Sequence, residues 1–114
     1  MSLSFSYRHL YYFWAVAKEG GLTRAATRLG LSVQTVSTQV RELEQALGAA
    51  LLKPAGRGVA LTEAGSTALD LAEQIFSLGE TLPERVREAA AGSELRLTRP
   101  EWYRLYTAAG YLVP

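Results

Sequence analysis

The chain has 114 residues, 48% of them apolar, with no cysteine and a formal net charge of +1. That length holds one compact domain with an appendage rather than two full domains, and the lack of cysteine excludes disulfides and thiolate metal sites. No apolar run approaches the roughly 20 residues of a membrane span, and the opening MSLSFSYRHL lacks the charged and apolar regions of a signal peptide, so a cytoplasmic protein without membrane attachment is expected.

The first helix is predicted over Tyr7 to Lys18, because Leu10, Phe13, Trp14 and Ala17 fall on one helical face and Gly20-Gly21 provides the stop. Tyr11 and Tyr12 lie off that face and are expected to pack against a later hairpin or the fourth helix. A second helix runs from Thr23, a plausible N-cap, through Ala25, Ala26 and Leu29 to Gly30. Ser32 then caps a third helix whose Val33, Val36, Val40, Leu43 and Leu47 recur at three- and four-residue spacings up to Gly48. A short helix, a tight glycine turn and a Ser-capped helix form a helix-turn-helix pattern.

Next come Ala50-Leu51-Leu52-Lys53 and Val59-Ala60-Leu61, joined by a Pro- and Gly-rich tip at 54–58, the pattern of a β-hairpin. Arg57 stands between two glycines at that tip, where no core needs it. From the N-cap Thr62 a long helix is predicted to about Ala91, with Glu63 in the first turn favouring the helix dipole. Leu71, Ile75, Leu78, Leu82 and Val86 make a heptad-like stripe on it, widened by Leu69, Ala72 and Phe76. One small core cannot easily cover so long a stripe, and a partner helix can; packing wholly onto its own domain is the alternative. Pro83 requires either a kink or a stop near Thr81 with a restart. In the tail, Glu94 to Thr98 alternates like a short strand, and Trp102, Leu105, Tyr106 and Ala109 form a short amphipathic pattern.

Charge is divided unevenly along the chain. Residues 1–58 carry seven basic and three acidic groups, 7 − 3 = +4, and residues 59–114 carry five and eight, 5 − 8 = −3. A basic front half can attract phosphate while the acidic half stays away from it. An enzyme is not expected: His9 is the only histidine, there is no Ser/His/Asp set or metal cluster, and Gly56-Arg57-Gly58 has neither the length nor the lysine of a phosphate-binding loop. The carboxylates Glu42 and Glu44 fit a solvated helix face. No cofactor is implied.

The stretches HLYYFWAVAKEGGLTRAATRLGLS, TVSTQVRELEQALGAALL and GRGVALTEAG, taken as an ordered set, resemble the N-terminal domain of LysR-type transcriptional regulators. The HLYYFW opening and the Gln34-Thr35 pair look most like the branch regulating sodium/proton antiporters. The resemblance implies a mainly α fold, a winged helix-turn-helix of three helices and a two-stranded wing over 1–62, then a dimerisation helix over 63–91. It implies double-stranded DNA as partner, the helix at 32–48 in the major groove, Arg57 at the minor groove, and a homodimer through Leu71, Ile75, Leu78, Leu82 and Val86. The family's effector domain would need about 200 further residues; residues 92–114 do not resemble it, so no small-molecule effector site is expected in this chain.

Within that frame Gln34 can pair bidentately with adenine, Ser32 and Thr35 can donate to phosphate, and Val33 at the start of the same helix is counted with them among the DNA-binding residues. Ser37, Thr38 and Arg41 continue the exposed face of the helix, Arg41 either as a phosphate contact or as a charge paired with Glu44 or Gln45. Thr23 and Arg24 open the second helix, whose free N–H groups and dipole suit a phosphate. Lys53 on the hairpin can hold another. The sequence departs from the family where Val33 replaces a usual glutamine, Thr38 a usual arginine and Pro54 another arginine, which puts the base preference in question. Two alternatives remain: a truncated interaction module that dimerises with a full-length regulator and modulates it, and a winged helix of another class such as the drug-resistance repressors, against which the short turn and TEAG argue.

Overall fold

The computed structural model describes the backbone of residues 5–96, in the order α1 (Tyr7–Glu19), α2 (Leu22–Leu29), α3 (Val33–Leu47), β1 (Leu52–Ala55), β2 (Gly58–Leu61) and α4 (Glu63–Arg96). It is a mainly helical winged helix-turn-helix. The chain divides into two units between Phe76 and Ser77, and the core lies in the first.

That core is small and aliphatic. Leu10, Phe13 and Val16 of α1, Ala25 and Ala26 of α2, and Val36, Val40 and Leu43 of α3 are buried together, with Leu51 and Ala72. The two small alanines let α2 lie close to its neighbours. On α1 the buried face turns through Val16 rather than Ala17, and Trp14 is only half-buried. Trp14 instead joins Tyr7, Tyr11 and Phe76 in an aromatic cluster, with Tyr11 and Phe76 edge-to-face at 5.8 Å. Tyr11 therefore packs on α4, one of its two expected neighbours.

The turn between α2 and α3 depends on Gly30, whose φ of 70° places it in the left-handed region that a side chain disfavours. Ser32 follows as the N-cap of α3, its Oγ accepting from the Thr35 N–H at 3.1 Å. Thr23 does not cap α2. The helix begins one residue earlier, Gly21 is its cap and no side chain closes it, because the chain turns at Gly20-Gly21 directly into the next helix.

The first strand of the wing lies two residues later than the sequence implied, the second begins one residue earlier, and the tip is shorter. The strands pair antiparallel from Leu52↔Leu61 to Ala55↔Gly58, leaving Gly56-Arg57 as the turn. Pro54 opposes Val59 inside the ladder. Alternate residues of an edge strand point their N–H away from the partner, so a proline at such a position breaks no ladder bond. The Val59 N–H likewise turns away from β1 and donates to the Gly20 carbonyl at 3.2 Å, pinning the wing to the end of α1.

Thr62 caps α4 as expected and does more. Its Oγ1 accepts from the Gly65 N–H at 2.9 Å and donates to the Ala50 carbonyl at 2.6 Å. Ala68, Leu69, Ala72, Ile75 and Phe76 turn to the core, whereas Leu71 is 52% exposed. In the second unit, Leu78, Leu82 and Val86 are also exposed. The helix is unbroken through Pro83, so the stop near Thr81 does not occur. It runs to Arg96 rather than ending near Ala91, and Glu94 to Arg96, expected in a strand, are helical; Leu97, Thr98 and the amphipathic pattern of Trp102 to Ala109 lie outside the described residues. Among the described residues no helix is long and apolar enough to cross a membrane.

Candidate nucleic-acid interface

Burial of Val36, Val40 and Leu43 determines which side of α3 is left free. Gln34, Thr38 and Arg41 are exposed on the far side, with Ser37 and Thr35 half-exposed beside them. The helix has no acid in its first turn, so the positive end of its dipole is left uncompensated. Ser32 donates its own hydroxyl hydrogen to Thr35 Oγ1 at 2.8 Å while accepting from the Thr35 N–H. This commits Ser32 internally and leaves the Thr35 hydroxyl hydrogen as the outward donor.

Three depressions bring most of the sequence-predicted residues together around this helix. One, between the wing tip and the start of α2, is lined by Thr23, Arg24, Arg57 and Gly58. A second, beside the first turn of α3, holds Ser32, Gln34, Thr35 and Thr38 with Arg8 and His9 of α1. The third lies between α3 and the wing and holds Ser37, Arg41, Lys53 and Pro54. Val33 lines none of these three and stands 41% exposed at the start of the helix.

The cations at this surface are available. Among the described residues Arg24, Arg41, Lys53 and Arg57 take part in no ion pair, whereas Arg28 meets Glu19 at 3.7 Å and Lys18 pairs with Glu73. Arg41 does not pair with Glu44, whose carboxylate is used otherwise. Glu44 Oε2 accepts from the Leu51 and Leu52 N–H groups at 2.7 and 3.2 Å and so ties the end of α3 to the base of the wing. Glu44 is thus a structural acceptor and not part of a solvated face. Its distance in sequence from the hairpin hid that role.

Arg8 and His9 are further additions to the surface. His9 Nε2 lies 3.5 Å from Glu42 Oε2, joining α1 to α3. A basic residue at a helix start, against the dipole, was the one signal that Arg8 serves something outside its own helix. Gln39 Oε1 is buried without a hydrogen-bond partner among the described residues. No group of three or more metal-ligating side chains occurs among the described residues.

Known proteins are similar to this chain in sequence and fold. The family described as "Bacterial regulatory helix-turn-helix protein, lysR family" matches residues 7–66. The transcriptional activator protein NhaR of Escherichia coli K12 is 42% identical over 83 residues, which are 72% of this chain and 28% of NhaR. The regulator TfdS of Cupriavidus pinatubonensis is 43% identical over 86 residues, 75% of this chain and 29% of TfdS. The chain thus spans less than a third of the length of either relative. Among solved structures, the CbnR DBD–DNA complex superposes with a TM-score of 0.72 at 40% identity, covering 75% of this chain and 99% of that one. Full-length CbnR complexed with its target DNA gives 0.73 at 39% identity, covering 78% and 31%. The chain belongs to the LysR family of bacterial regulatory helix-turn-helix proteins.

Proposed function

We propose that this chain binds double-stranded DNA in a sequence-specific manner as part of a dimeric transcription regulator. The observation that carries the reading is the set of cations, Arg24, Arg41, Lys53 and Arg57, in no ion pair among the described residues, around an exposed α3 face whose first turn has no acid. Residues 1–62 act as the DNA-binding domain. In this reading α3 enters the major groove, as a recognition helix does with its N-terminal residues toward the base edges. Gln34 reads adenine at N6 and N7. Thr35, Ser37, Thr38 and Arg41 contact phosphates or flanking edges, with Ser32 holding Thr35 in place.

Arg24 and the open N–H groups of Thr23 and its neighbours grip one phosphate at the start of α2. Lys53 grips another, and Arg57 at the wing tip enters the minor groove. Dimerisation falls to α4, through Leu71, Leu78, Leu82 and Val86, with Ile75 shared between that stripe and its own core. The similarity to CbnR, solved with DNA, supports the docking mode.

Fluorescence anisotropy of the full chain against the duplex upstream of its own gene, beside a shuffled duplex, tests the proposal. Preferential binding that weakens with added salt is the expected result. Equal or absent binding to both duplexes would overturn it and favour a module that acts by pairing with a full-length relative.

A further inference from the structure

Glu42 sets a negative charge on the surface proposed to meet phosphate. Its side chain is 55% exposed, and it lines the depression that holds Gln34, Thr35 and Thr38. The other acid of α3, Glu44, is tied to the base of the wing, so Glu42 is the one acid of this helix beside those candidate contacts. An ionised carboxylate there repels a phosphate backbone. His9 is the group that answers it: its Nε2 lies 3.5 Å from Glu42 Oε2, and its side chain is 17% exposed. The two form an ion pair only when the ring is protonated.

Gln39 lines the same depression, and its Oε1 is buried with no hydrogen-bond partner among the described residues. A neutral imidazole has one N–H to give and a charged one has two, so only the charged ring has a donor for each of two acceptors. The charged and titratable groups lining this depression are Arg8 and His9 of α1 and Glu42 of α3; among the described residues α2, the wing and α4 contribute none. Arg8 and the positive end of the α1 dipole belong to the histidine's own helix, and Glu42 is the one negative charge facing it. We propose that His9 is a positioning residue whose charge follows pH. Protonated, it neutralises Glu42 and draws the carboxylate toward α1; neutral, it leaves Glu42 to repel the phosphate backbone. DNA affinity is then highest below the histidine range, centred near about pH 6.5, and falls as pH rises through it. The inference rests on the DNA-reading function proposed above and adds the proton as its regulator.

The chain has one histidine, so between about pH 5.5 and 7.5 no other side chain with an ordinary pKa changes charge. The test measures the affinity of the full chain across that range, at fixed salt, for a duplex it selects from a randomised pool. The parent is expected to bind about fivefold more tightly at the acid end, the size of one charge–charge contact in water. Its slope of log K against log salt should steepen there by about 1. Glu42→Gln removes the repelling charge and should bind at every pH as tightly as the parent does in acid. His9→Gln leaves Glu42 uncompensated and should bind at every pH as weakly as the parent does at the alkaline end. A merely structural histidine would not make Glu42→Gln bind more tightly, and because Glu42 is exposed this variant keeps the test open if His9→Gln fails to fold. A parent affinity that is flat across the range, or a pH dependence that survives in Glu42→Gln, overturns the inference while leaving the DNA-reading function intact. Failure of the pool to yield any preferred sequence overturns both.

Discussion

One side chain and two missing side chains hold the wing against the helices. Glu44 supplies the acceptor for both the Leu51 and Leu52 N–H groups, and an ionised acceptor makes the stronger kind of hydrogen bond. Replacing it by alanine leaves two part-buried donors unsatisfied, with an expected loss of about 2–3 kcal/mol. Urea unfolding should show a lower midpoint at an unchanged m-value, and Glu44→Gln, which keeps an acceptor oxygen, should fall between the two. At Gly65 a Cβ would collide with the backbone carbonyl of Leu51. Alanine normally favours a helix over glycine by about 1 kcal/mol, but here the obstacle is backbone and cannot swing aside. Gly65→Ala is therefore expected to destabilise by about 2 kcal/mol, lowering Tm by roughly 10 °C; an unchanged or higher Tm would mean that α4 can slide off Leu51. Gly58 faces the Gly20 carbonyl in the same way. Neither contact could be foreseen from the chain, because a glycine kept for close approach looks the same in sequence as one kept for a turn.

At the scale of elements the boundaries followed local chemistry where a side chain or a glycine ends the helix. Ser32, Thr62 and the glycines after α1, α2 and α3 terminate their helices as local chemistry requires. Expectation failed where tertiary contacts or chain continuity outweighed the local signal. Alternation from Glu94 to Thr98 implied a strand, yet a strand needs a neighbour to pair with, and Glu94 to Arg96 continue α4. Pro83 is tolerated inside that helix. On the proposed dimer face Leu78 and Leu82 are 70% and 62% exposed. A double substitution, Leu78→Lys with Leu82→Lys, should leave the circular dichroism spectrum of the domain unchanged. It should shift the sedimentation coefficient from dimer to monomer, because lysines opposed across a coiled-coil seam bring like charges into a desolvated contact. A parent chain that already sediments as a monomer at micromolar concentration would remove α4 from the proposed interface.

For the whole molecule the small net charge conceals a division of labour, with Arg8, Arg24, Arg41, Lys53 and Arg57, five of the seven basic residues of the first 58 positions, lining the depressions around α3 and the wing. Affinity for DNA should fall steeply with salt, since each neutralised phosphate releases a counterion. Arg24→Ala and Arg57→Ala are each expected to reduce the slope of log K against log salt by about 1 and to weaken selected and shuffled duplexes alike. A slope that does not change would take Arg24 off the phosphate backbone, or Arg57 out of the minor groove. The helices, the hairpin and the caps Ser32 and Thr62 were legible from the sequence alone, because caps, periodicity and glycine turns act between residues close along the chain. What only the tertiary structure decided is which apolar residues the core declines to cover, Val33 and Leu78 among them, and which polar ones it employs, Glu44 above all. Burial is settled by what approaches from elsewhere in the chain, and a helical pattern records only which residues share a face.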